Sequence, residues 1–259
     1  MGFGPWVLCS ALPASVYNNG TPFPEPPVRQ RDLQPELMDD PALPDAEHRR
    51  ALAGLARLNT YSDSVGVLWP AVRELARELG RPLRILDVAT GCGDVPHGLW
   101  KRAERAGFHL DLSACDISPV ALKAAEERAS AAGASVDYFE ADALGDPLPT
   151  EFDIVTCSLF LHHLSVDNAV TLLGRLAAAT DRLVLVNDLS RSRWNLGLVW
   201  LATRLLTRSP VVHADGPLSV RAAFTRVEAA ELAERAGLKG ATVSARFPCR
   251  WLLTWRKPQ

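Results

Sequence analysis

Residues 84–97, R-I-L-D-V-A-T-G-C-G-D-V-P-H, hold the densest grouping of side chains and glycines that could do chemistry. A short apolar run, Ile85-Leu86-Asp87-Val88, carries an acid near its end and enters a turn with Gly91 and Gly93 before a helical pattern begins. Glycines in such a turn let the backbone bend and approach a bound group closely. A dinucleotide would need a third small residue, in the spacing G-x-G-x-x-G, so that bare amides face a pyrophosphate. Pro96 occupies that place and Asp94 puts negative charge beside it. The turn suits instead a phosphate-free ligand carrying a cationic amino group and a sulfonium. Two more acids, Asp116 and Asp142, close later apolar runs, and His162 and His163 follow the next one. An imidazole with its ordinary pKa of about 6.5 could take a hydroxyl proton at neutral pH. Capping a helix is the other role open to such a pair.

The wording D-V-A-T-G-C-G-D resembles the glycine motif of class I S-adenosylmethionine-dependent methyltransferases, and is most similar to that of the quinone-biosynthesis C-methyltransferases. Ala89 stands where that family usually has its first glycine. The resemblance implies S-adenosylmethionine as cofactor, with Asp87, Ala89, Gly91, Cys92 and Gly93 lining its site. It also implies that Asp116 accepts from both ribose hydroxyls, with Ile117 packed on adenine. Asp142 would accept from the adenine amino group, the Ala143 N–H would donate to the ring, and Ser158 would meet the methionyl part. For Asp116 position points the same way, since it lies about 20 residues past the turn, where α/β nucleotide sites place such a carboxylate. Asp87, Asp116 and Asp142 should therefore converge around one adenosyl sulfonium. The quinone-methylating family usually carries Arg-Asn where this chain has His162-His163, so its substrate does not transfer with the motif.

Apolar periodicity supplies the elements that must hold these residues. Amphipathic helices are expected over 45–58 and 64–79, strands over 85–88, 109–115, 136–140, 152–158 and 183–187, and helices over 119–132, 166–179 and 226–236. A closing pair of strands is expected over 241–247 and 250–256. The fold class is then α/β, a Rossmann-like seven-stranded mixed sheet with helices on both faces and the last two strands an antiparallel hairpin. Residues 1–34, with prolines at 5, 13, 22, 24, 26 and 27, read as disordered or irregular, and as an extension upstream of the true start. Residues 35–259 read as one methyltransferase domain. In it, 35–80 give N-terminal helices that cover the cofactor and 190–225 give an insertion on the substrate side. Candidate substrate contacts are Asn59 and Tyr61 between the first two helices, Arg191 after the fifth strand, and His213, Asp215 and Arg221 in a segment read as a lid or plain loop. The apolar stretch 196–206 is too short to span a bilayer. Core packing is its simplest role; a greasy substrate channel, a homodimer contact or peripheral membrane contact are the others.

The 259 residues suit one well-buried domain with additions. A net charge of −2 provides no basic field for a nucleic-acid backbone, so a small-molecule methyl acceptor is the expected partner. The five cysteines at 9, 92, 115, 157 and 249 form no C-x-x-C pair. They read as small apolar residues of a reducing, cytoplasmic protein, with neither a disulfide framework nor a metal site. The expected reaction is methyl transfer to a hydrophobic or aromatic hydroxylated metabolite, O-methylation, with His162 and His163 as candidate catalytic residues. C-methylation of a quinone precursor, N-methylation of a macromolecule, and a non-catalytic cofactor- or nucleotide-binding module are the competing readings.

Overall fold

Runs rich in valine, isoleucine and leucine become strands buried on both faces, as a mainly parallel sheet requires. The strands are β1 (Leu83–Val88), β2 (Leu110–Asp116), β3 (Asp137–Glu140), β4 (Phe152–Ser158), β5 (Thr180–Leu189), β6 (Thr242–Arg246) and β7 (Arg250–Arg256). They form one sheet in the order β3-β2-β1-β4-β5-β7-β6, in which β7 alone runs against its neighbours. The computed structural model describes Val28, residues 30–40 and residues 42–258. The proline-rich stretch expected to be irregular thus falls largely outside the described residues.

Side chains alternate across each strand, and the two faces bury separate cores. On one, Leu86, Val88, Val155, Cys157, Val184 and Val186 meet α5 (Val166–Ala179) and α8 (Arg226–Arg235). On the other, Ile85, Ile154, Leu185 and Leu252 meet α2 (Ser64–Leu79) and α3 (Asp94–Ala106). Helix starts follow their caps: Ser118 with Pro119 opens α4 (Pro119–Ala132), Ser165 opens α5, and Thr225 with Glu228 forms a capping box on α8. The first helix, α1 (Asp45–Tyr61), runs three residues beyond its expected end, so Asn59 and Tyr61 are helical.

The insertion differs from expectation. Residues 196–206 lie in α6 (Arg193–Leu206), and most of the segment 213–225 lies in a second helix, α7 (Pro210–Ala222), rather than a loop. Ser209 caps α7 and Pro210 fits its first turn. The Gly216-Pro217 pair that reads as a breaker has a packing reason. A Cβ on Gly216 would lie 2.7 Å from Thr203 Cγ2, so its absence lets α7 close onto α6.

Arg250, at the start of β7, is 5% exposed and ties the sheet to the α1–α2 junction. Its guanidinium donates to Ser64 Oγ at 2.6 Å and Ser62 Oγ at 2.5 Å, with Asn59 Oδ1 at 3.5 Å. Burial lowers its pKa to about 10. Arg250→Met should preserve the far-ultraviolet circular dichroism, lower stability by about 1–3 kcal/mol, and speed proteolytic cutting within residues 59–64. Unchanged cutting would show that the junction is held by something else.

Candidate functional site

Parallel pairing brings the carboxyl ends of β1, β2, β4 and β5 to one edge, where open α/β sheets bind their ligands. Asp87 lies there opposite Thr156 and is 3% exposed. Thr156 Oγ1 donates to its Oδ1 at 2.5 Å and Thr90 Oγ1 to its Oδ2 at 2.6 Å. Burial pushes the carboxyl up to about 7; the two hydroxyls oppose the shift and nearby Asp116 and Asp94 add to it. In the turn, Ala89, Gly91 and Gly93 all have left-handed backbone, at φ of 54°, 56° and 68°. A Cβ on Gly93 would sit 2.6 Å from Tyr138 Oη, whereas one on Gly91 would meet nothing within 4 Å. The Gly91 side of the turn therefore faces open space.

Asp116 fastens the end of β2 to this turn. Its Oδ2 accepts from the Gly91 N–H at 2.7 Å and its Oδ1 from the Ser118 N–H at 2.9 Å, while burial raises its pKa. Ile117 beside it is 51% exposed, a surface open to a flat ring. Asp142 follows β3, with Oδ1 accepting from the Leu144 N–H at 2.9 Å, and Ala143 is buried. Asp94 does not offer its charge freely: it pairs with Arg128 and accepts from Asn59 Nδ2 at 3.1 Å. Asn59 thereby bridges the turn and Arg250. Burial, with Asp94 close by, pushes the Cys92 thiol up to about 12, so it stays protonated.

Four buried polar atoms beside this edge test whether an amino-acid-bearing cofactor fits. Ser158 Oγ and both amide atoms of Asn187 have no hydrogen-bond partner among the described residues. The two residues pair across β4 and β5 and share the face of Asp87 and Thr156. Tyr138 Oη, against Gly93, is also unpartnered. Buried polar atoms are normally satisfied, and a ligand with ammonium, carboxylate and hydroxyl groups would satisfy these. The donor set fits S-adenosylmethionine.

Beyond β4 the chain makes a short 3-10 turn, Leu161–His163. The His162 N–H donates to Asp188 Oδ2 at 2.9 Å, and His162 Nδ1 lies 2.7 Å from Asp188 Oδ1. Burial alone would raise the Asp188 pKa, but His162 and the backbone N–H groups of His162 and Leu189 bring it below the ordinary carboxylate value. The ionised carboxylate accepts, so Nδ1 is the ring nitrogen that donates to it. The His163 ring stands 4.3 Å from that of His162, and Glu36 Oε1, which accepts from Ser219 Oγ at 2.7 Å, is 4.0 Å from His163 Nδ1. Glu36, His162 and His163 can present ligand atoms within 4.8 Å of one another, the kind of grouping that holds a cation.

The other candidates of the substrate side differ in their surroundings. Arg191 donates to Glu228 Oε1 at 2.5 Å and to the Ala223 carbonyl at 2.7 Å. His213 Nε2 is 2.9 Å from the Thr207 carbonyl, and the Asp215 carboxylate accepts from the N–H groups of Leu37 and Met38 at 2.9 and 3.0 Å. Arg221 lies in the last turn of α7, its carbonyl accepting from the Asp32 N–H at 3.1 Å, and Tyr61 is 74% exposed. Sequence reasoning missed Glu36, Asn187, Asp188 and Arg250. For Asn187 and Asp188 the signal was present, since both close a strand at the binding edge. For Glu36 there was none, because only the folded chain brings it to the histidines.

Residues 85–182 match a family model described as a methyltransferase domain. The chain is 36% identical over 121 residues to the demethylmenaquinone methyltransferase of Thermus thermophilus, which covers 46% of this chain and 53% of that protein. It is 35% identical over 107 residues to the protein of the same name in Deinococcus radiodurans, covering 40% and 43%. The chain thus spans about half the length of the curated relatives it matches. Among solved structures, apo SibL, an S-adenosylmethionine-dependent methyltransferase, aligns over 90% of this chain and 65% of its own at 18% identity, with a TM-score of 0.60. Mitomycin 7-O-methyltransferase MmcR aligns over 80% and 54% at 18% identity, with a TM-score of 0.51. At such identities the likeness is one of fold.

Two variant sets test this geometry. Asp87 holds its proton more tightly folded than unfolded, so the stability it contributes is full below about 3.8 and is lost as pH rises through about 7. The melting temperature of Asp87→Asn relative to the unsubstituted protein should therefore climb from pH 4 to pH 8; a constant difference would mean an unshifted carboxyl. Gly91→Ala should cost about 1–2 kcal/mol for its left-handed backbone. Gly93→Ala should cost more, because of Tyr138, and Tyr138→Phe should recover part of the loss in the double variant, measured by urea denaturation.

Proposed function

We propose that this class I S-adenosylmethionine-dependent methyltransferase domain moves a methyl group from S-adenosylmethionine to a hydroxyl oxygen of a small hydrophobic or aromatic metabolite. The observation that carries the hydroxyl acceptor is the buried His162–Asp188 pair, set at the same sheet edge as the glycine turn.

Asp116 offers carboxylate oxygens to the ribose hydroxyls and Ile117 an apolar surface to the adenine, with Asp142 and the Ala143 N–H reading the ring edge. Asp87, Ala89, Gly91, Cys92 and Gly93 line the turn, and Ser158 with Asn187 takes the methionyl end. When bound, the cofactor supplies a methyl carbon made electrophilic by its sulfonium. His162 Nε2 would accept the proton that the acceptor's hydroxyl gives up, and Asp188 would keep the ring in the working tautomer and stabilise the imidazolium. His163 stacks beside it and positions the acceptor. The α1–α2 junction, braced by Arg250 and Asn59, limits water access, and alignment contributes the rest of the rate. Residues 35–259 form the catalytic unit, with α1 and α2 as its cofactor cover and α6 and α7 as its substrate-side insertion. A cytoplasmic location accords with the thiols, and no helix among the described residues is long and apolar enough to cross a membrane.

C-methylation of a quinone precursor is the second reading, favoured by the likeness to the two demethylmenaquinone methyltransferases. A binding module without turnover is the third.

Incubation with methyl-¹³C cofactor and a metabolite extract should yield a labelled product whose carbon resonates as a methoxyl. A ring-bound methyl would select the quinone reading, and calorimetric binding of the cofactor without turnover would select the third. Asp188→Asn should lower kcat roughly 10²–10⁴-fold with cofactor affinity retained, the loss shrinking at high pH where the acceptor ionises unaided. Undiminished turnover would remove His162 from the proton's path.

A further inference from the structure

Core packing was the simplest role for residues 196–206, and the structure places much of that stretch in solvent. On α6, Trp194 is 89% exposed, Leu198 43%, Leu201 48% and Leu205 73%. Their spacing of four, three and four residues puts them within about 60° on a helix turning about 100° per residue. The opposite side holds buried Asn195 and Thr203 and faces α1 and α7. Phe247, 92% exposed, is in the β6–β7 hairpin, and Asn195 Nδ2 donates to the Cys249 carbonyl of that hairpin at 3.1 Å. That hydrogen bond holds the hairpin against the first turn of α6, the turn that carries Trp194.

The charge along this part of the chain has one sign. No acidic residue occurs between Asp188 and Asp215, a stretch that carries Arg191, Arg193, Arg204 and Arg208. Arg193, Arg204 and Arg208 are exposed. The Arg204 guanidinium lies 4.2 Å over the Trp200 ring, and Arg57, Arg204 and Arg208 line a cavity of about 440 Å³ at the end of α6. Large apolar side chains in a row, on a helix whose own sequence carries arginines and no carboxylate, are what a helix lying in the plane of an anionic bilayer presents.

We infer that α6 and the β6–β7 hairpin dock this protein onto an anionic lipid surface, with Trp194, Leu198, Leu201, Leu205 and Phe247 entering the interface and the arginines holding lipid phosphates. At 14 residues the helix is about 21 Å long and lies on the bilayer rather than across it. Because α6 directly follows the strand that carries Asp188, docking would bring a bilayer-dissolved acceptor to the histidine side of the site. That last step rests on the proposed function; the docking itself does not.

The full chain should float with vesicles of phosphatidylcholine containing about one-third phosphatidylglycerol, at least tenfold more than with phosphatidylcholine alone, and less as salt rises. The variant Trp194→Ser/Leu201→Ser/Leu205→Ser should lose flotation at least tenfold, and Arg204→Gln/Arg208→Gln should lose the preference for anionic lipid. Calorimetric cofactor affinity should be unchanged in both, which separates failure of docking from failure of the methyltransferase reading. Equal flotation of the variants and the parent chain would overturn the inference. So would a dimer by light scattering that the serine variant dissolves, since the strip would then be covered by a second copy.

Discussion

A carboxyl group buried between the ends of two parallel strands governs the binding edge. Asp87 is reached by hydroxyls from its own turn and from β4, and it sits near enough to Asp116 and Asp94 for their charges to be felt. Such a group is costly to ionise in an apolar setting. The chain tolerates it by leaving room beside Gly91 and by satisfying both oxygens with threonines rather than with a cation of its own. The one nearby guanidinium, that of Arg128, is committed to Asp94. The fold thus places a carboxyl raised to about 7 at the edge where the positive charge of the proposed cofactor would favour its ionised form.

Polarity is concentrated at that edge because the two sheet faces are otherwise filled with aliphatic side chains. Most of these strands contribute near their carboxyl ends: Asp87 from β1, Asp116 from β2, Ser158 from β4, Asn187 and Asp188 from β5. Alternation then sorts them. Asn187 and Ser158 fall on the face of α2 and α3, whereas Asp188 turns to the other side and meets His162. Neighbouring residues on one strand thereby face opposite sides of the sheet, so Asn187 and the Asp188–His162 pair do not compete for the same space.

The sheet was legible because its strands are short apolar runs separated by clear helix caps. Ser118-Pro119 and Ser165 mark helix starts that the structure reproduces to the residue. The insertion was less legible. Gly216-Pro217 has the local chemistry of a turn, and only its contact with Thr203 explains a helix there. The motif residues of the turn could be placed from wording alone, but their partners could not. Arg191 looks like a free anion-binding group until Glu228 is seen against it, and Asn59 looks like a loop residue until it is found between Asp94 and Arg250. Tertiary pairing of polar groups far apart in sequence leaves no period or spacing to read.

The place of β7 within the sheet has a consequence for synthesis on the ribosome. It is the last strand of the described chain, yet it lies between β5 and β6 and supplies the hydrogen-bonding partners of both. Until residues 250–256 have emerged, the apolar edge of β5 has no cover and β6 has no neighbour, so the nascent chain carries an open, aggregation-prone strand edge until β7 arrives. The arginine that secures the α1–α2 junction arrives with that same strand, so this junction is tied to the sheet only after elongation has passed it.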